Sequence, residues 1–152
     1  MNMDKTLYWE DFVVGETVAM GSHTFVEEEM IDFARKFDPQ PFHIDPVAAR
    51  SSYFGGLIAS GWHTCAVAMR MLCDNYINRS ASLGSPGVDN VRWLNPVYAG
   101  DTISYRRVVL EARPSSSRRD MGLIKSRAEA VNQKGELVMT FEGWGMFGRR
   151  PV

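Results

Sequence analysis

Hydrophobic positions along the chain change period near its middle. Up to about residue 77 they recur at helical spacing, and from about residue 88 they alternate. Val18 to Thr24 reads as a first strand, poorly alternating. Thr24 and Glu27 then match the capping-box spacing that opens a helix, and Met30, Phe33, Ala34 and Phe37 follow at helical intervals. Glu27, Glu28 and Glu29 at its start and Arg35 and Lys36 at its end complement the helix dipole. Pro39 ends it, because the residue before a proline is pushed out of the α region.

A dense turn follows, Asp38-Pro39-Gln40-Pro41-Phe42-His43. Asp45 before Pro46 is an N-cap and first-turn proline, which predicts a short helix over 47–52. Gly55 and Gly56 break the chain again. From Gly61 a longer helix is expected, with Trp62, Cys65, Ala66, Met69, Leu72, Cys73 and Tyr76 on one face. Val67, Ala68 and Met71 widen that face almost to the full circumference, so other structure has to wrap the helix. Strands are expected over 88–94, 102–112, 123–131 and 136–147. Ile124, Ser126, Ala128 and Ala130 form one face of the third of these, and Lys125, Arg127 and Glu129 the other. Asn132 to Gly135 supplies a tight hairpin. The fold class is therefore α+β, an antiparallel sheet of about five strands curled around a long central helix, in a single domain over 1–152.

Composition narrows the choices. The 152 residues suit one domain that buries roughly 68–70% of its unfolded surface, so no covalent staple is needed. Seventeen Lys and Arg against eighteen Asp and Glu leave a net charge of -1, which supplies no basic face for nucleic acid. Cys65 and Cys73 stand eight apart on one helix, about 12 Å, too far for a disulfide. Residues 1–12 carry Asp4, Lys5, Glu10 and Asp11 in place of a signal peptide's apolar run. His63, Arg70, Asp74 and Asn75 interrupt the most apolar stretch, so no membrane span is expected and the protein is expected in the cytoplasm.

Several familiar chemistries fail on inspection. Gly56 to Gly61 has the glycine spacing of a phosphate-binding loop, but Trp62 stands where the lysine belongs. Ser60 lacks the first glycine of a nucleophile elbow, because Ile58 occupies it. His43, Asp45 and His63 have no recognised ligand spacing, so no metal is expected. What remains is Asp38 and His43 on a loop stiffened by Pro39 and Pro41. A carboxylate and an imidazole held together can bind one water and move protons to and from it. On spacing alone the plainer reading is stronger: Asp38 ends a helix and His43 is a hydrogen-bonded core residue. Ser60 and Gly61 open the long helix, where free backbone N–H groups can stabilise a developing oxyanion, although an N-cap and a packing glycine explain them equally well. His23 and His63 read as packing residues.

Three segments decide between these readings: Phe37-Asp38-Pro39-Gln40-Pro41-Phe42-His43-Ile44-Asp45, Leu57-Ile58-Ala59-Ser60-Gly61-Trp62 and Asn95-Pro96-Val97-Tyr98-Ala99-Gly100-Asp101-Thr102. Together they resemble the MaoC-like dehydratase and (R)-specific enoyl-CoA hydratase family of hotdog-fold proteins, in matching order from about Tyr8 to Phe147. The resemblance implies a hydro-lyase that adds water to a trans-2-enoyl thioester, or removes it from a (3R)-3-hydroxyacyl thioester. It assigns Asp38 and His43 as the acid–base pair and the Gly61 N–H as the oxyanion donor. It places Pro41, Phe42, Ser60 and Trp62 around the substrate; Phe37, where many relatives have Gly, and Phe42, where Leu is common, depart from the family pattern and are expected to narrow the acyl pocket. It implies no metal or redox cofactor, coenzyme A as the substrate's carrier, and a homodimer or an oligomer of dimers. Arg106, Arg107, Arg118 and Arg119 are expected on a solvated strand face and loop ahead of any contact with the coenzyme A phosphates. Two rival functions stay open: a hotdog-fold acyl-CoA thioesterase and a non-catalytic acyl-thioester binding module.

Overall fold

In the computed structural model, residues 5–152 are described; Met1 to Asp4, part of the amino-terminal reading above, lie outside the described residues. Among the described residues five strands form one antiparallel sheet: β1 (Thr17–Thr24), β2 (Gly87–Trp93), β3 (Thr102–Pro114), β4 (Met121–Val131) and β5 (Leu137–Gly148). Their spatial order is β1-β3-β4-β5-β2. Burial alternates as the period-2 pattern requires: Ile103, Tyr105, Arg107 and Val109 of β3 are buried while Ser104 and Arg106 are exposed. The β4–β5 hairpin closes through Asn132 and Gly135, the glycine at φ 80, a left-handed conformation that disfavours a side chain.

Among the described residues of the first half, four α-helices occur: α1 (Glu27–Phe37), α2 (Pro41–Ile44), α3 (Pro46–Arg50) and α4 (Gly61–Asn75). The Asp45 carboxylate accepts from the Val47 and Ala48 N–H groups and starts α3, which ends at Arg50, earlier than expected. Thr24 does not cap α1. Val26 occupies the N-cap without a side-chain bond, because Thr24 stays in the sheet opposite Thr102, their hydroxyls 2.8 Å apart. The cross-strand partner wins over the local cap.

The sheet curls around α4 in the hotdog arrangement, and the core lies between them. Phe25, Met30, Ile103, Tyr105, Val109, Ile124 and Met139 are each 2% exposed or less, and burying each large side chain contributes about 1.5–3 kcal/mol. The Tyr105 hydroxyl donates to the Thr64 carbonyl and ties α4 to the sheet. The face that α4 turns inward differs from the expected one. It presents His63, Thr64, Ala68 and Leu72, whereas Trp62, Ala66 and Met69 are exposed in the single chain. His63 is tolerated inside because its ring stacks on Phe33 at 4.6 Å, while Trp62 packs against Trp93 at the end of β2.

Arg107 also departs from expectation. It is buried, its guanidinium 4.1 Å from the Tyr76 ring centroid, and among the described residues its Nε and Nη1 lack hydrogen-bond partners. Its place in the inward alternation of β3 outweighs its charge. The other arginines named with it behave as surface groups, Arg106 pairing with Glu129 and Arg118 with Asp120. Cys65 and Cys73 are free thiols. Among the described residues no helix is long and apolar enough to cross a membrane.

Candidate active site

Asp38 is the C-cap of α1, its own N–H bonded to the Ala34 carbonyl. Pro39 prevents the helix from continuing, and Pro41 at the first position of α2 restarts a turn that brings His43 back towards Asp38. The His43 Nε2 and Asp38 Oδ2 atoms lie 3.2 Å apart. Each partner is held from behind. His43 Nδ1–H donates to the Ile58 carbonyl at 2.8 Å, an assignment set by the carbonyl's being an acceptor only. In the neutral ring the free lone pair is then on Nε2, facing Asp38.

Asp38 has both oxygens engaged. Gln40 Nε2 donates to Oδ1 at 2.7 Å, and the Ser60 hydroxyl donates to Oδ2 at 2.7 Å. Burial pushes the Asp38 carboxyl up, but the bonds from Gln40 and Ser60 outweigh it and hold the carboxyl below its ordinary range, helped by His43 when its ring carries a proton. The pair is thus a carboxylate beside an imidazole whose reactive nitrogen is fixed in place.

Asp38, His43 and Gly61 line one cavity of about 910 Å³. Gly61 is the first residue of α4, so its N–H has no carbonyl within the helix to bond. A Cβ built on Gly61 would lie 2.3 Å from the Trp93 indole ring, so only glycine fits beneath it. Trp93 and Trp62 meet edge to face at 5.0 Å and, with Phe42, Phe54 and Tyr98, give the cavity an aromatic wall. The Pro96 to Asp101 turn completes it: Val97 O accepts from Ala59 N, and the Asp101 carboxylate accepts from Tyr98 N.

Three residues expected around the substrate or its acyl pocket stand elsewhere. Ser60 is fully buried, capping α4 at Trp62 N and bonding Asp38, so it positions the carboxylate instead of touching a ligand. Pro41 is exposed and outside the cavity, and Phe37, 70% exposed, borders a different one. Phe42 and Trp62 line the dyad's cavity as expected. Sequence reasoning missed Gln40 and Trp93. Gln40 stands two positions after Asp38, within reach of it, but a glutamine there carries no recognised motif, and Trp93 arrives from β2.

It also missed a second convergence. His23 Nε2 and His63 Nε2 both approach Glu29 Oε1, at 2.7 and 2.9 Å. Burial lowers the His63 imidazole's affinity for a proton, against the Glu29 bond that favours it. Cys65 offers no nucleophile, because burial pushes its thiol up.

Relatives carry the same framework. A MaoC-like dehydratase from Rhodospirillum rubrum superposes with a TM-score of 0.87 at 38% identity, covering 96% of this chain and 99% of that one. An uncharacterised Bacillus subtilis protein, YdeM, is 27% identical over 134 residues, 88% of this chain and 92% of its own. Mesaconyl-CoA hydratase from Cereibacter sphaeroides is 32% identical over 77 residues, 51% of this chain and 21% of that longer protein. The model of the MaoC-like domain matches residues 11–130, a span that contains the proline-stiffened loop, the glycine that opens α4 and the turn after β2, and the chain belongs to that family.

Proposed function

We propose that the protein is a hydro-lyase that adds water to a trans-2-enoyl-CoA, or removes it from a (3R)-3-hydroxyacyl-CoA. The observation that carries the reading is the Asp38–His43 pair at 3.2 Å, sharing a cavity with the Gly61 amide. A water that reaches both side chains from the cavity gives a proton to His43 Nε2 as its oxygen bonds to C3 of the enoyl group. The π electrons move towards the thioester carbonyl, and the Gly61 N–H stabilises the enolate-like oxygen, a contribution of about 3–4 kcal/mol where the donor is well placed. A proton from the dyad then reaches C2. The sum is H and OH added across one double bond, with no change of oxidation state, so the step needs neither a redox cofactor nor a metal.

The dehydratase and the CoA hydratase among the relatives support this chemistry, and coenzyme A is read as the carrier of the substrate. A homodimer fits the same reading: β2 is an edge strand, and Val88, Trp93 and Leu94 on it and after it, with Trp62 and Met69 of α4, leave apolar surface exposed.

Incubation with crotonyl-CoA tests the proposal. Hydration removes the conjugated enoyl absorbance without releasing thiol, and His43→Ala lowers kcat by ~10²–10⁴ while the circular dichroism spectrum is kept. Release of free thiol would instead reveal a thioesterase. Binding without turnover, the same in both proteins, would reveal a binding module.

A further inference from the structure

At the other end of α1 from Asp38 lies a set of residues that hydration does not use. His23 comes from the end of β1, Glu29 from the first turn of α1 and His63 from the first turn of α4. One ligand atom from each lies within 4.8 Å of the other two. We propose that His23 Nε2, Glu29 Oε1 and His63 Nε2 form a three-ligand site for a first-row transition-metal dication of the zinc class.

Donor chemistry selects the ion. Two imidazoles and one carboxylate suit Zn²⁺ and Co²⁺, whereas Ca²⁺ and Mg²⁺ prefer all-oxygen shells. The nitrogens are pre-positioned. The His63 ring stacks on Phe33 at 4.6 Å with an interplanar angle of 9°, and both His63 and His23 meet Phe25 edge-on at 4.9 Å. Rings held in this way lose little further freedom when an ion binds.

As a hydrogen-bonding device alone the cluster is incomplete. Two N–H donors share a single carboxylate oxygen, and among the described residues the buried His63 Nδ1 has no partner. Bonds of about 2.0–2.2 Å place tetrahedral ligands about 3.3–3.5 Å apart, so the donors need to separate by about half an ångström. Glu29, its side chain 39% exposed, is the ligand free to withdraw.

Space for the remaining coordination position is present. A cavity of about 370 Å³ opens on Glu29 and His63, with Glu28 and Asp32 adding negative charge and Lys36 opposing it. It shares no lining residue with the cavity of the Asp38–His43 pair. The ion therefore acts as a clamp joining β1, α1 and α4, apart from the acyl thioester, and the inference does not depend on the proposed hydration.

Titration of the untagged, chelator-treated protein with Co²⁺, followed by visible absorption, provides the test. One equivalent should give a ligand-field band that Zn²⁺ displaces. His23→Ala and Glu29→Gln should each weaken Co²⁺ binding by at least about ten-fold, while His43→Ala keeps the band. Zn²⁺ should also raise the melting temperature of the wild type and leave that of His23→Ala unmoved. His23→Ala is the cleaner variant, since His63 is packed between rings and its loss also tests the fold. Absence of a stoichiometric band, a band unchanged in both ligand variants, or one lost only in His43→Ala would overturn the proposal.

Discussion

Asp38 and Glu29 stand at opposite ends of α1, and each carboxylate faces the imidazole of a buried histidine, but their surroundings differ. At the Asp38 end both carboxylate oxygens accept a bond, from Gln40 and Ser60, and the Ile58 carbonyl holds His43 from behind. At the Glu29 end two imidazoles converge on one oxygen, and a ring nitrogen of His63 is left over among the described residues. The first arrangement fixes a tautomer and a charge, which proton transfer requires. The second concentrates lone pairs and N–H groups around a point, which suits holding something. A carboxylate and an imidazole thus form different arrangements according to the bonds behind them.

The comparison can be broken most sharply at Asp38 itself. Asp38→Asn keeps size and removes charge, and a fall in kcat of ~10²–10⁴ towards crotonyl-CoA is expected with folding intact. Turnover that survives would make the two ends of α1 equivalent. Ser60→Ala makes a smaller change, stripping one buttress so that the Asp38 end comes to resemble the Glu29 end. A fall in kcat of roughly ten-fold is expected from the lost bond to the carboxylate, with a loss of about 0.5–2 kcal/mol in a urea titration from the lost N-cap. A kcat equal to the wild type's would show that Asp38 needs no support from behind.

Acid stability should give the smallest effect. The Asp38 carboxyl is held below its ordinary range when folded, so below about pH 4 the unfolded chain takes up protons more readily and stability falls as pH falls. Asp38→Asn lacks that contribution. Its urea midpoint should therefore drop less than the wild type's between about pH 6 and pH 3, and equal drops would show that the bonds from Gln40 and Ser60 do not favour the charged form.

Much of the fold was legible because it is written locally. The change from period 3.6 to period 2, the Asp45–Pro46 start of α3 and the Asn132–Gly135 hairpin all depend on residues within a few positions of one another. The errors arise where a distant partner overrides a local signal. Thr24 prefers Thr102 across the ladder to a helix end, and α4 turns His63 inward because Phe33 waits there to stack on its ring. In the site, the Asp38–His43 proximity followed from six adjacent residues and the family they resemble. His23, Glu29 and His63 were illegible, since 34 positions separate the last two and no spacing rule joins a strand end to two helix starts.

The indole of Trp93 fills the volume that a side chain at position 61 would take. Residues 61 and 93 are for that reason a linked pair: neither can grow unless the other shrinks, although they sit on different elements. Redesign of the cavity for a bulkier occupant begins by trimming the tryptophan, and mutational routes that enlarge the glycine first are closed.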